Sequence, residues 1–489
     1  MQLTELLNSL NAIQVLGEVQ RQDVDSIEYD SRKVKKNSVF VAIRGFNVNG
    51  HAFILDALNK GAIAVVVEEN NSVPDEIFIH NKAAKIFVNN SRIALAELSK
   101  GFYKDPSSKI KLVGVTGTNG KTTTTYYLKH ILDLTGSKSG LIGTIANYIG
   151  NEKIDAKLTT PESNDLNALL QNMLTEGCKY AVMEASSHSL VLNRVCGLDF
   201  KCGIFTNITS DHLDFHNTFE NYLDAKKMLF DNLSEDSFAV VNADDINSVS
   251  ITGNTKAKVI SYGMKETSDY RIYDILFNLD GTKFKVRNNN KEYSFSTSLI
   301  GTFNAYNAAA AFSTAVSLGI DSDKVVETIK TAPQVPGRFE VIGLGLKKVI
   351  VDYSHTADSL KQALNAVREI VEHKNKIITI FGCGGDRDKS KRPEMGRIAS
   401  ELSDEIIITS DNPRTEDPLQ IIEQIRSGIK KLNYKVIENR EEAIALTVKS
   451  APENSVILIA GKGHETYQEI NGIRNHFSDQ EIARKYLDE

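Results

Sequence analysis

At 489 residues, with 41% hydrophobic and 25% charged residues and 9 prolines, the chain is globular in composition. At about 150 residues per domain it is long enough for three cores, which excludes a small single-domain module. A formal charge of -6 without an acidic or basic block excludes a nucleic-acid footprint and a polybasic membrane tether, leaving small molecules as the expected partners.

In chain order, residues 1–105 mix short apolar runs, Val39 to Ile43 and Ala62 to Val67, with Gly and Asn punctuation, and end in a helical pattern from Ser91 to Tyr103. That pattern predicts a small α/β domain. Asp105-Pro106-Ser107-Ser108 reads as a linker into a second domain over 106–336. This domain opens with a strand at Ile110 to Val115, a Gly-rich turn and a helix from Lys121. It continues with a helix at Asp165 to Thr175, strands at Tyr180 to Met183 and Ile204 to Asn207, and a helix at Phe219 to Leu233. Such alternation predicts a mostly parallel sheet covered by helices. From Tyr270 to Ser298 the period drops to two, with turns at Asp280-Gly281 and Asn288 to Asn290, which predicts an inserted antiparallel meander, and a helix follows at Ala305 to Leu318. Residues 337–489 carry strands at Val349 to Tyr353, Ile377 to Phe381, Glu405 to Thr409, Lys435 to Ile437 and Val456 to Ala460, a Rossmann-like third domain. The opening MQLTELLNSLNAIQVLG has no basic segment leading into an apolar one, and no stretch approaches the roughly 18 apolar residues of a membrane span, so a cytoplasmic location without a membrane span is expected. Cys178, Cys196, Cys202 and Cys383 have no CxxC spacing and read as reduced thiols, not a zinc or disulfide framework.

The strongest local signal is GVTGTNGKTTT, Gly114 to Thr124, between an apolar strand and a helix. There, backbone N–H groups cradle phosphates, Lys121 reaches the terminal ones and Thr122 can ligate Mg2+. A strict Walker A motif wants Gly at 115, where this chain has Val115. Glu184 ends the strand YAVME and is a candidate Mg2+ ligand; alone, an acid at a strand end is as often a solvated residue or a helix cap. His212 lies with Asp211, Asp214 and His216 in SDHLDFH, where a single His is usually structural but clustering raises the case for a site. By periodicity alone Lys226, in YLDAKKMLF, reads as one of two surface lysines. FGCGGDRD does not have GxGxxG spacing and supports no redox cofactor.

Taken together, GTNGKTT, MEASSH, TNITSDHLDFH, GTFNAYNAAAA, PGRFE and VDYSHTADSL resemble the Mur ligase family, and YDSRKV, SDNPRTEDP and GKGHETYQ extend the likeness over nearly the whole chain. The resemblance implies an ATP-dependent amide-forming ligase that activates a carboxylate as an acyl phosphate. Its implied substrates are ATP, UDP-N-acetylmuramoyl-L-alanyl-D-glutamate and meso-2,6-diaminopimelate, joined in peptidoglycan synthesis by a chain working as a monomer. It assigns Gly117, Thr118, Asn119, Gly120, Lys121, Thr122, Thr123, Asn304, Asn307, Arg338 and Asp352 to ATP, and Thr122, Glu184, His212 and Lys226 to two Mg2+ ions. In that assignment Lys226 is carbamylated, because a hard cation needs an oxygen ligand that an ammonium cannot offer. Ser31, Thr159, Thr160, Ser187 and Arg194 fall at the positions that hold the muramoyl dipeptide, although Leu192 stands where the family commonly has a polar residue. Arg387, Asp411, Asn412, Pro413, Arg414, Gly461 and Glu465 match the amino-acid contacts, and DNPR resembles the signature of diaminopimelate-selecting members. Arg414 offers a carboxylate a bidentate grip that lysine as substrate would leave unpaired. A turn that leads into the helix at Pro418 would account for Asn412 and Pro413, not for Arg414. The competing readings are a lysine-adding or folate-polyglutamylating ligase, and, from another class, a P-loop nucleotide switch that forms no bond.

Overall fold

The structure is a computed structural model that describes every residue except 21, 47, 344–346, 372–374 and 488–489, so the last two positions of the expected third domain lie outside the described residues. Three sheets follow one another along the chain. The first joins β1 (Gln14–Leu16), β2 (Ser26–Glu28), β3 (Ser38–Val41), β4 (Ala62–Val67) and β5 (Ala84–Phe87) in the order β1-β5-β4-β3-β2, parallel except for β1. Its helix Ser91–Phe102 is capped by Asn90, whose side chain accepts from the N–H groups of Arg92 and Ile93, and buries Leu95 and Leu98 against the sheet.

The second sheet is the largest. Its strands are β6 (Lys111–Thr116), β7 (Ser139–Ile142), β8 (Ala146–Ile149), β9 (Glu152–Asp155), β10 (Tyr180–Glu184), β11 (Phe200–Phe205), β12 (Phe238–Asn242), β13 (Lys258–Gly263), β14 (Tyr270–Asn278), β15 (Gly281–Asn288) and β16 (Lys291–Thr297). They run in the order β16-β15-β14-β13-β12-β11-β6-β10-β7-β8-β9. The centre is parallel because helices cover both faces. Val113 and Val115 of β6 face the helices Lys121–Leu134 and Thr302–Ser317, while Leu112 faces Ser163–Thr175 and Phe219–Asp231. All three β6 side chains are fully buried, each contributing about 1.5–3 kcal/mol. The expected antiparallel meander forms in this domain with both turns where the sequence puts them, and it extends this sheet, β14 pairing parallel with β13. A second antiparallel extension, β8 and β9 beyond β7, is too short to show a period of two in the sequence. The strand expected to reach Asn207 stops at Phe205, since Thr206 and Asn207 turn their side chains to the phosphate loop.

The third sheet contains β17 (Glu340–Ile342), β18 (Lys348–Asp352), β19 (Ile377–Phe381), β20 (Glu405–Ile408), β21 (Tyr434–Val436) and β22 (Val456–Ala460), ordered β17-β18-β22-β19-β20-β21 and parallel apart from β17. Its strands are nearly continuous apolar runs, as burial on both faces demands. A separate hairpin, β23 (Tyr467–Ile470) and β24 (Ile473–His476), follows β22 in the chain, bridges Arg414 through Ile470, and turns on Asn471 and Gly472, both at positive φ. Among the described residues no helix is long and apolar enough to cross a membrane.

Candidate active site

Chain direction creates the crevice. From β6 the chain first builds β7 and β10 on one side and later β11 to β13 on the other, so the carboxyl end of β6 is a switch point. The loop Gly117 to Gly120 fills it and leads into the helix Lys121–Leu134, whose first N–H groups point at any anion placed there. The loop is laced to the neighbouring strand end. Thr118 N–H donates to the Asn207 carbonyl (2.8 Å), Asn119 N–H to Asn207 Oδ1 (3.0 Å), and Thr206 Oγ1 to the Asn119 carbonyl (2.6 Å). Gly117 has φ 149°, and a Cβ there would stand 1.9 Å from Thr206 Oγ1; at Gly120, with φ 85°, it would stand 2.4 Å from Asn307 Oδ1. Only glycine lets the backbone come this close.

A cavity of about 650 Å³ opens over the loop, between the second and third sheets. Thr118, Asn119, Gly120, Lys121, Thr122 and Thr123 line it, with Glu184, His212, Lys226, Asn307, Arg338 and Asp352 around them, so most of the expected nucleotide and metal residues converge. Gly117 and Asn304 do not form its wall. The Gly117 carbonyl accepts from both Lys121 Nζ (2.8 Å) and Lys226 Nζ (2.9 Å), and Asn304 Oδ1 accepts from Asn307 Nδ2 (3.1 Å), so each supports a wall residue.

Glu184 is neither solvated nor a cap. It is buried, accepting from Thr122 Oγ1 (3.1 and 3.0 Å), Thr144 N–H (2.9 Å) and Thr144 Oγ1 (3.0 Å). Lys226 is not a surface lysine either: it is 1% exposed, with its ammonium nitrogen 4.2 Å from the Tyr222 ring centroid. Burial, with Lys121 adding repulsion and Asp211 opposing it, pushes it well below the ordinary lysine range. Burial likewise lowers Lys121, which Glu184 partly offsets. His212, in a left-handed turn at φ 53°, lies 4.9 Å from the His188 ring; burial holds it low, His188 and Lys121 reinforce this, and Asp211 opposes it. Among the described residues no three His, Cys, Asp or Glu side chains form a ready metal cluster. Thr122 and Glu184 nevertheless supply hard oxygens of the kind Mg2+ takes. His212 and Lys226 as they stand do not complete a second site. Arg338 Nη2 donates to Thr122 Oγ1 (3.2 Å) while its Nε is buried without a partner among the described residues, and this unmet donor beside the loop fits a polyphosphate.

Near Glu184, Thr160 Oγ1 donates to its carbonyl (2.7 Å), Arg194 Nη1 to the Thr160 carbonyl (3.1 Å), Thr144 and Thr159 share a hydroxyl contact (3.1 Å), and Ser187 Oγ meets His216 Nε2 (2.9 Å). Four of the five expected dipeptide residues are thus one cluster. Ser31 stands apart in the first unit, after β2, where its carbonyl accepts from Lys60. Leu192 caps the short helix Ser187–Val191 and is half-buried.

The expected amino-acid residues gather elsewhere, at the carboxyl ends of β19, β20 and β22, and none lines the large cavity. Arg414 has φ 51°, and its Nη1 donates to the Gly385 carbonyl (2.6 Å); a Cβ on Gly384 would stand 3.0 Å from that nitrogen and 3.9 Å from Arg387. Pro413 backs the same turn, its carbonyl 1.9 Å from a Cβ on Gly385. Asn412 donates to Glu465 Oε2 (2.8 Å), and Gly461, at φ 114°, passes so close to Asp411 that a Cβ would meet its carboxylate at 2.5 Å.

Sequence reasoning missed Asp244, which lines the cavity and accepts from Tyr306 OH (2.6 Å), although an Asp pair just past an apolar strand was the available signal. It also gave no role to His355, which lines the cavity beside Tyr353.

Residues 23–103, 115–315 and 337–463 match in turn the Mur ligase family catalytic domain, the Mur ligase middle domain and the Mur ligase glutamate ligase domain. A Clostridium perfringens protein named UDP-N-acetylmuramoyl-L-alanyl-D-glutamate--2,6-diaminopimelate ligase is 44% identical over 497 residues, covering 99% of each chain. The chain belongs to the Mur ligase family. This Mur ligase is also 43% identical over 489 residues, and 99% of each chain, to a protein of the same name from Parabacteroides distasonis. A solved structure of a ligase bearing that name is 31% identical with TM-score 0.71, covering 100% of this chain and 99% of the other. The MurF ligase of Thermotoga maritima in complex with ADP, 19% identical with TM-score 0.63 over 95% and 97% of the chains, shares the fold alone.

Proposed function

We propose that this Mur ligase adds meso-2,6-diaminopimelate to UDP-N-acetylmuramoyl-L-alanyl-D-glutamate at the expense of ATP, in peptidoglycan synthesis, acting in the cytoplasm as a monomer. Full-length likeness to ligases of that name supports the reaction. The observation that carries the choice of amino acid is Arg414, held near Arg387 by a strained turn whose Asn412 binds Glu465, so that the loop carrying the guanidinium is tied to an acid. It suits an amino acid with one carboxylate more than lysine.

In this reading the units of 1–105, 106–336 and 337–489 bring the UDP end, ATP and the amino acid respectively. ATP lies along Gly117 to Thr123, with Asn307, Arg338 and Asp352 around it. Thr122 and Glu184 would hold one Mg2+, and His212 and Lys226 a second, once the Lys226 amine had added CO2 and released a proton to become a carbamate. When bound, the metal neutralises charge on the transferring phosphoryl oxygens. Lys121 turns from the loop carbonyls to the terminal phosphate and compensates the same charge. Thr159, Thr160, Ser187 and Arg194 present the D-glutamate carboxylate, and Ser31 holds the UDP end at a distance. The carboxylate takes the γ-phosphoryl group to give an acyl phosphate. The free amine of diaminopimelate, oriented by Arg414, Arg387 and Glu465, attacks that carbonyl and expels phosphate, leaving an amide.

The deciding experiment is product mass spectrometry after incubation with ATP, Mg2+, the UDP-muramoyl dipeptide and a mixture of diaminopimelate and L-lysine. A tripeptide product carrying diaminopimelate is expected. A lysine product, a folate product in a parallel incubation, or ATP hydrolysis with no amide formed would each overturn the proposal.

A further inference from the structure

The GKGHE segment contains a charged group that the proposed reaction leaves unused. Lys462 is fully buried, yet it belongs to neither the cavity wall nor the apolar core. Gly461 at φ 114° and Gly463 at φ 52° flank it, and a Cβ on either would collide, at 2.5 Å with Asp411 Oδ2 and at 2.6 Å with Tyr353. Two glycines thus let the backbone thread this lysine inward. Its Nζ donates to Asn412 Oδ1 (3.0 Å) and Glu465 Oε2 (3.1 Å), under the rings of Tyr467 and Phe477, 5.5 and 5.9 Å away. Asn412 Oδ1 also accepts from Glu469 N–H (2.9 Å), so the side chain of Asn412 is committed to protein groups on both its atoms. Every hydrogen bond to the Glu465 side chain falls on Oε2, and among the described residues none falls on Oε1.

We infer that Lys462 is a positioning residue of the amino-acid site: it pins one oxygen of Glu465, directly and through Asn412, and so turns the other toward the ammonium group of the incoming amino acid. The inference rests on the proposal that Glu465 touches that amino acid. A lysine kept only for stability would be a poor choice, since an apolar side chain of similar volume usually serves as well as a buried ion pair. Its charge has a second consequence. Burial pushes the Glu465 carboxyl up, Lys462 opposes this most, Asp411 adds to it, and Asn412 helps Lys462. Arg440, Tyr353 and Tyr467 face the same carboxylate. Without Lys462 the acid would titrate at higher pH, losing its charge where the amine needs it.

The test compares Lys462→Met, Glu465→Gln and the double variant in the full chain, measuring KM for the amino acid and for ATP and the pH profile of kcat/KM. Lys462→Met should raise the amino-acid KM at least tenfold, leave the ATP KM within twofold, and move the acid limb upward by about one unit or more. Added to Glu465→Gln, it should change the amino-acid KM by less than threefold, because its target is already neutral. If Lys462→Met does not fold, Lys462→Gln, which keeps two N–H donors without the charge, should still shift the acid limb. An effective Glu465→Gln beside a Lys462 variant of normal KM and normal pH profile would overturn this inference alone. Losses in the double variant that multiply in full would also overturn it. A Glu465→Gln with normal KM would overturn the assignment of Glu465 as well.

Discussion

Two lysines from helices on opposite faces of the second sheet meet at one carbonyl oxygen, and their fates differ for physical reasons. Lys121 is half-buried at the cavity wall, whereas Lys226 is enclosed, and burial favours the uncharged amine that the proposed carbamate requires. Lys226→Ala should therefore lose turnover by about 100-fold while remaining folded. Bicarbonate should not restore it, because no amine is left to carbamylate, but a short-chain carboxylate that fills the vacated space should do so in part. Activity within a few-fold of wild type would remove Lys226 from the mechanism. Its burial was legible in the sequence and was missed: Tyr222, Ala225, Lys226, Leu229 and Phe230 share one helix face, and Lys227, paired with Asp231, is the surface neighbour. What spacing could not give is what covers that face. Arg414 is the reverse case, singled out by its chemistry while its support was hidden. Its N–H donates to the Glu469 carbonyl (3.0 Å) and its carbonyl accepts from Asn471 N–H (2.7 Å), so the hairpin β23–β24 fixes the turn. Arg414→Ala should cost about 2–5 kcal/mol in kcat/KM for diaminopimelate, tens to thousands of fold, with little gain for lysine. Measuring both amino acids with both proteins checks this; an unchanged preference would defeat Arg414 as selector.

At the scale of elements, the glycine-rich loops work only because something holds them. Helix Lys391–Leu402 carries Arg392, fully buried, whose guanidinium donates to both Glu416 oxygens (3.0 Å each), to Gln424 (2.7 Å) and to the Gly384 carbonyl (3.0 Å). Glu416 also accepts from Asp386 N–H (2.6 Å) and pairs with Lys389 (3.1 Å). The acid thereby ties the loop after β19 to the Arg414 turn. The bonds from Arg392 chiefly hold its carboxyl down at about 2, so its stabilisation is complete above the ordinary value of 4.5 and disappears as pH falls through about 2. Glu416→Gln should lower stability on the order of 1–2 kcal/mol at neutral pH, after allowance for screening at this rim position. The difference from wild type in thermal midpoint should shrink as pH drops from 4.5 toward 2. A difference independent of pH would mean that the charge of Glu416 does not matter. Strands and helices of this kind follow from apolar runs and periodicity, which is why β18 to β22 were read nearly to the residue. Networks such as Arg392–Glu416 are not legible, because their members are 24 residues apart and polar.

Over the whole molecule the nucleotide cavity belongs to no single unit, since its floor comes from the second sheet and its far wall from the third. Apolar contact joins the two sides, with Phe303 against Phe339 (ring centroids 5.5 Å) and Ile300 in the third unit's core, and among the described residues the polar contacts across the cavity are few. Asn119 Nδ2 and Thr209 Oγ1, on the phosphate-loop side, reach Asp358 Oδ2 at 3.3 and 3.4 Å, and Arg338 reaches Thr122 at 3.2 Å. Asp358 lies in the first turn of helix Ala357–Ile370, where its charge also suits the helix dipole. Both of its cross-cleft bonds are long, each contributing about 0.5–1 kcal/mol. The polar part of this closure is weak, which suits a ligase that admits three substrates in turn. ATP seated as proposed, against both walls, would add to these contacts, and its apparent affinity would carry the cost of any open population. Asp358→Ala should therefore weaken ATP binding by about threefold to thirtyfold while kcat at saturating ATP stays near wild type. Asp358→Asn, which preserves an acceptor oxygen, should fall between the two. Calorimetric titration with a non-hydrolysable ATP analogue, paired with steady-state kinetics, measures both quantities. Unfolding midpoints without nucleotide separate closure from a weakened helix. An ATP affinity unchanged in Asp358→Ala would show that the two walls are held together by contacts other than these.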